Sequence, residues 1–80
     1  MVKVYSTQTC PWCERVKEYL TALNVKFEVA DITNDRATAM ELLKHTRQMA
    51  VPVTQIDDVY IVGFDKEKLD AELKSRGLIA

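Results

Sequence analysis

The chain carries two cysteines, Cys10 and Cys13, with Pro11 and Trp12 between them. A pair at this spacing closes a small disulfide or gives a metal ion two ligands. A staple across so short a loop removes little chain entropy, so bracing the fold is its weakest use. Redox use has a stricter physical requirement. Thiol–disulfide exchange runs through a thiolate, so one sulfur must sit where an anion is favoured. The start of a helix is such a place, because its first backbone N–H groups lack intrahelical partners and its dipole is positive there.

The residues around the pair supply that setting. Val2–Ser6 reads as a strand, residues 6–9 as a polar turn, and Glu14 to Leu23 as an amphipathic helix. Pro11 suits the helix's first turn, where its missing N–H costs nothing. Val16, Tyr19, Leu20 and Leu23 fall at i, i+3, i+4 and i+7, one apolar stripe. Asn24 is suited to a left-handed helix ending, with Leu20 and Val25 as the apolar pair of a Schellman motif. Cys10 is then the attacking thiolate, and Cys13, one turn on and deeper, the resolving thiol. Helix-end electrostatics contribute ~0.3–2 kcal/mol toward the anion. A thiol hydrogen bond from Cys13 contributes ~1.5–3 kcal/mol, the larger share. Together they lower the Cys10 pKa from about 8.5 toward neutrality. Arg15 and Lys17 assist and Glu14 opposes, although all three read first as a solvated helix face. Trp12, between the cysteines, reads as an exposed aromatic that contacts a partner.

Further along, the alternation of Lys26-Phe27-Glu28-Val29, continued through Ala30 to Ile32, reads as a second strand. Thr33, Asn34 and Asp35 are three candidate caps for a helix from Arg36 to about His45, buried through Ala39, Leu42 and Leu43. No glycine stops that helix. Residues 47–51 form a loop that Pro52 closes, before strands at Val53–Ile56 and Val59–Val62 joined by Asp57-Asp58. Gly63-Phe64 breaks the last strand, and Asp65 caps a final helix carrying Leu69 and Leu73. That helix ends at Gly77, with Leu73 and Leu78 as the Schellman pair. The order βαβ-α-ββ-α predicts an α/β fold: a four-stranded mixed sheet, a right-handed parallel crossover, and helices on both faces.

Residues 1–80 read as one domain, with no linker, repeat or low-complexity segment. A net charge of −1 gives no basic footprint for nucleic acid, and no apolar run is long enough to cross a membrane. The start of the chain lacks an export signal, so the expected location is the reducing cytoplasm, where paired cysteines are catalytic or metal-binding. One Cys-x-x-Cys provides only half of a closed zinc site. The single histidine, His45, reads as an exposed or capping side chain. The alternative function, a metal or iron–sulfur module, therefore needs the same pair from a second copy.

The combination of residues 4–13 (Val4-Tyr5-Ser6-Thr7-x-Thr9-Cys10-Pro11-Trp12-Cys13), then Ala50-Val51-Pro52, then Val62-Gly63-Phe64-Asp65, resembles a glutaredoxin-like protein of the thioredoxin fold along essentially the whole chain. The resemblance implies a dithiol–disulfide oxidoreductase. It implies that Pro52 is cis and faces the dithiol, that the Val51 backbone pairs with the main chain of a substrate, and that Gly63, Phe64 and Asp65 meet the γ-glutamyl end of glutathione. Phe64 reads equally as core, Asp65 also as a cap, Arg47 as solvated and Met49 as packing. Thr7 stands where glutaredoxins usually carry Lys or Arg, Val62 where they have a first glycine, and Lys66 where Asp or Thr is common. The related donors to ribonucleotide reductase carry Trp-Ser-Gly-Phe-Arg-Pro where this chain has Ile61 to Lys66. The resemblance thus implies a disulfide-bearing protein or a glutathione mixed disulfide as substrate. It implies either glutathione or a thioredoxin-reductase-type flavoenzyme as electron donor, no bound cofactor, and a monomer.

Overall fold

Strand β1 (Val2–Ser6) is followed by helix α1 (Pro11–Ala22), strand β2 (Glu28–Asp31), helix α2 (Arg36–Thr46), strands β3 (Val53–Ile56) and β4 (Val59–Val62), and helix α3 (Lys66–Ser75). The structure, a computed structural model, describes residues 2–47 and 51–79. The strands form one sheet in the order β2-β1-β3-β4. β1 runs parallel to β2, with Val4 opposite Val29, and antiparallel to β3, with Val4 opposite Thr54. β3 and β4 are antiparallel, with Thr54 opposite Ile61.

The period of two along each strand divides the core. Val2, Val4, Ile56 and Ile61 face α1 and α3, where Val16, Leu20, Leu69 and Leu73 complete the larger cluster. Tyr5 and Val53 face the other way and pack on Leu42 of α2. Because β1 lies inside the sheet with helices on both sides, Val4 and Tyr5 are both fully buried. Arg76 ties α3 to the β3–β4 turn, reaching Asp57 at 3.0 Å, Asp58 at 3.2 Å and Glu72 at 3.4 Å.

The helix endings follow from single residues. Asn24 adopts φ 58°, its N–H bonds the Thr21 carbonyl and that of Val25 the Leu20 carbonyl, each at 3.0 Å. Gly77 at φ 72° closes α3 in the same way, through Leu78 N–H to the Leu73 carbonyl at 2.9 Å. α2 has no glycine, and Arg47 itself takes the left-handed conformation, its N–H 2.7 Å from the Leu43 carbonyl.

Three expectations are corrected. Helix α1 begins at Pro11 and not at Glu14, because Cys10 serves as its cap. Strand β2 is shorter than residues 26–32, since its ladder with β1 spans only Glu28–Asp31 opposite Lys3–Ser6. Leu43 is 37 % exposed, so α2 buries only Leu42 fully. Successive helical residues point about 100° apart, and the single line of contact with the sheet is already occupied by Leu42. Met49 and Ala50 lie outside the described residues.

Thr54 is fully buried on the α1/α3 face, and its Oγ1 has no hydrogen-bond partner among the described residues. An unsatisfied buried hydroxyl costs about 1–3 kcal/mol. Thr54→Val keeps the shape and removes that cost. It is expected to stabilise the fold by about 1 kcal/mol, raising Tm by about 4–8 °C in a thermal melt.

Candidate active site

Cys10 has the extended backbone of an N-cap, φ −129° and ψ 98°, and its Sγ accepts the Cys13 N–H at 3.1 Å. The sulfur thus stands where a capping oxygen would, satisfying one of the orphan donors of the first turn. Pro11 follows in that turn, with no N–H to satisfy. Cys10 and Cys13 are joined as a disulfide, their Cα atoms 5.2 Å apart. Cys13 is fully buried, whereas Cys10 is half-buried at the surface. The one acidic residue of the first turn, Glu14, is held by Lys17 at 2.9 Å, which offsets its charge near the sulfur.

The Val51–Pro52 peptide bond is cis. The Pro52 carbonyl accepts the Gly63 N–H at 2.8 Å, which fixes the loop before β3 against the end of β4. Gly63 has φ 80°, a conformation that side chains rarely adopt, although an added Cβ meets nothing within 4 Å. These residues bring Trp12, Val51, Pro52, Gly63 and Phe64 together around one open groove of about 310 Å³. Asp65 adjoins the groove residues in the chain, and its carboxylate caps α3 by accepting the Lys68 N–H at 3.2 Å.

The wall of this groove continues as a row of rings. Trp12, 56 % exposed, lies 6.4 Å from Phe64, which meets Tyr19 edge-on at 5.7 Å. Phe64 is half-buried and packs against the main core, so it serves both the core and the groove. The Tyr19 hydroxyl donates to Asp70. A cation stands at each end of the row: the Arg15 guanidinium 5.4 Å from the Trp12 ring centre, and the Lys66 ammonium 5.3 Å from that of Tyr19. The sequence reading missed Arg15 as a ring partner and took Tyr19 as apolar packing. The spacing of three between Trp12 and Arg15 on a helix was the available signal.

Tyr19 is pushed up to about 12 by its bond to Asp70, and Tyr5 to about 12 by burial, with Glu41 adding to it. Both stand above their unfolded value of 10.0, so folding favours the neutral phenols. The stability they contribute is fully present below pH 10 and is lost as pH rises toward 12. Absorbance at about 295 nm is expected to show two of the three tyrosines ionising near pH 12, with unfolding in the same interval.

Elsewhere, His45 stacks on Tyr60 at 4.7 Å on the α2 side of the sheet, and Arg47 is exposed at the end of α2. Among the described residues no three His, Cys, Asp or Glu side chains are grouped to hold a metal ion. A closed site would draw ligands from beyond one Cys10–Cys13 pair.

A mixed four-stranded sheet with a Cys-x-x-Cys opening a helix and a cis-proline loop across the groove defines a thiol–disulfide oxidoreductase of the thioredoxin fold. Comparison with known proteins makes the class specific. The chain belongs to the glutaredoxin family, whose model matches residues 2–61. It is 43 % identical over 70 residues to a glutaredoxin-like 8.6 kDa protein from the rubredoxin operon of Clostridium pasteurianum, covering 88 % of this chain and 93 % of that one. A crystal structure of a thioredoxin-like protein superposes with a TM-score of 0.85 at 36 % identity, over 91 % of this chain and 100 % of the other. A buckwheat glutaredoxin–glutathione complex superposes with a TM-score of 0.78 at 28 % identity, over 99 % of this chain and 81 % of its own.

Proposed function

We propose that this protein reduces disulfides in other proteins, with Cys10 attacking and Cys13 resolving. The observation that carries this is the Cys10 sulfur seated as the cap of α1, accepting the Cys13 N–H at 3.1 Å, two residues before the Trp12 that lines an open groove. In the reduced protein the same N–H and the helix end favour the Cys10 thiolate, so its pKa lies below the ordinary thiol range. The thiolate attacks one sulfur of the target disulfide. That S–S bond breaks, the other target sulfur leaves and takes up a proton, and a mixed disulfide joins Cys10 to the target. Cys13 then gives up its proton and attacks Cys10 Sγ, releasing the second target sulfur as a thiol. Two electrons and two protons have moved to the target, and the Cys10–Cys13 disulfide remains. The disulfide is itself the carrier, so the chemistry calls for no bound cofactor.

Trp12, Val51, Pro52, Gly63 and Phe64 hold the target segment in this proposal, with the Val51 backbone pairing to its main chain as an added strand. Asp65, already engaged as a cap, steadies the same corner. The protein acts as a single-domain monomer in the reducing cytoplasm. It is reoxidised by its target and reduced again by glutathione or by a thioredoxin-reductase-type flavoenzyme. The buckwheat relative was crystallised with glutathione, which supports the first donor. The residues Thr7, Val62 and Lys66 support the second, because they stand where glutaredoxins usually hold glutathione's charges and backbone.

Trp12, the single tryptophan, reports the redox state of its two neighbours. Its fluorescence is followed as oxidised protein meets glutathione alone and, separately, NADPH with thioredoxin reductase. Rapid reduction by either one identifies the donor. No reduction by either overturns the proposal.

A further inference from the structure

Packing explains the ring of Tyr19 but not its hydroxyl. The ring is half-buried against the larger core cluster, in the apolar stripe of α1, where a phenylalanine or leucine would pack as well. The hydroxyl instead donates to Asp70, a half-buried residue of α3, and so ties α1 to α3. A bond to a carboxylate is stronger than one between neutral groups. Around it the helices stand apart, and Tyr19, Leu23, Asp70 and Leu78 line an open cavity of about 540 Å³. Packing therefore does little to fix the ring on that side, and the bond to Asp70 does it. Tyr19 also meets Phe64 edge-on, with ring centres 5.7 Å apart, and Phe64 lines the groove with Trp12, Val51, Pro52 and Gly63. The backbone on both sides of Phe64 is already held, by the Gly63 N–H on the Pro52 carbonyl and by the Asp65 cap of α3. What those bonds leave free is the orientation of the Phe64 ring. Of the two rings set against it, Trp12 is 56 % exposed, whereas Tyr19 is half-buried and anchored by Asp70. Tyr19 is the firmer support.

We infer that Tyr19 is a positioning residue for the target: through its bond to Asp70 it holds the Phe64 ring in place as a wall of the groove. Neither Tyr19 nor Asp70 lines that groove, so both act through Phe64. A target that lays a side chain against Phe64 gains from a wall already in place, because less freedom is lost on binding. A small disulfide with no such side chain gains nothing. Tyr19 thus acts on the choice between targets and not on the sulfur chemistry. This inference rests on the proposed disulfide exchange at Cys10.

The test compares a synthetic peptide whose disulfide is flanked by leucine with bis(2-hydroxyethyl) disulfide, which has no side chain for the groove. The reduced protein is mixed with each, well below its melting temperature, and the second-order rate constants are read from Trp12 fluorescence. Their ratio cancels any change in the Cys10 thiolate, which acts on both alike. In Y19F, which keeps the ring, the peptide-to-small ratio is expected to fall about fivefold, the effect of losing one hydrogen bond. D70A is expected to lower it as far. In D70N the amide oxygen still accepts from the hydroxyl, and the ratio is expected to stay within about twofold of that of the unaltered protein. In an F64L background Y19F is expected to lower the ratio no further, since the ring that Tyr19 positions is gone. An unchanged ratio in Y19F and D70A, a loss in D70N as large as in D70A, or the same fall in the F64L background overturns the inference while leaving the redox function standing. No reaction of the unaltered protein with either disulfide overturns both.

Discussion

Cys10→Ser is expected to abolish disulfide reduction, whereas Cys13→Ser is expected to trap the target on Cys10. The two cysteines are chemically alike, and their difference comes from position. Cys10 is half-buried at the head of α1 and accepts the Cys13 N–H, so it is the sulfur that a target reaches and the one stabilised as an anion. A serine hydroxyl there is not ionised near neutral pH. The rate should fall by on the order of a thousandfold or more, as loss of an enzyme's nucleophile does. Cys13 is fully buried, and its sulfur is bonded to that of Cys10. Without it the first exchange still proceeds, but nothing releases the second target sulfur, and an adduct of one protein to one target accumulates. Mass spectrometry under non-reducing conditions checks both outcomes. Trapping by Cys10→Ser in place of Cys13→Ser would reverse the assigned roles.

Leu42→Ala is expected to be the most damaging single truncation on the α2 side. Helix α1 is anchored by Cys13, Val16 and Leu20, and α3 by Leu69 and Leu73, but α2 fully buries Leu42 alone. That side chain packs with Tyr5 and Val53. Emptying its site costs about 2–5 kcal/mol, from a total stability of about 5–15 kcal/mol typical of small domains. Each kcal/mol is worth about 4–8 °C in a domain of this size, so Tm should fall by about 10 °C or more. The reactivity of Cys10 toward a small alkylating agent, measured well below the melt, should remain, because its sulfur is held by α1 on the opposite face. A drop of only a degree or two would mean that α2 is held by something other than Leu42.

Much of this was legible in the chain itself. Asn24 and Gly77, each with a leucine four residues before it and an apolar residue after it, marked both Schellman endings. The strands at Val53–Ile56 and Val59–Val62 lie where the sequence places them, after Pro52 and on either side of the Asp57-Asp58 turn. Cys10 near the head of a helix followed from a strand, a polar turn and Pro11 in sequence, whereas its sulfur serving as the cap did not. Other features depend on what only the folded sheet brings together. The cis bond at Pro52 was available through family resemblance alone, since only about 5–6 % of X–Pro bonds are cis. Leu43 fitted the apolar pattern of α2, but a helix lying on one face of a narrow sheet has one line of contact, and Leu42 fills it. The row from Arg15 through Trp12, Phe64 and Tyr19 to Lys66 joins α1 to the segment after β4. No local spacing announces a contact between residues about fifty positions apart.

The pH dependence of alkylation of the reduced protein by iodoacetamide, with each modified cysteine located by mass spectrometry, tests the central claim most directly. The account predicts that Cys10 alone reacts at pH 7, with an apparent pKa below the ordinary thiol value of about 8.5, and that Cys13 stays protected until the protein unfolds. Equal labelling of the two cysteines, or Cys10 ionising only at or above that ordinary value, would contradict it.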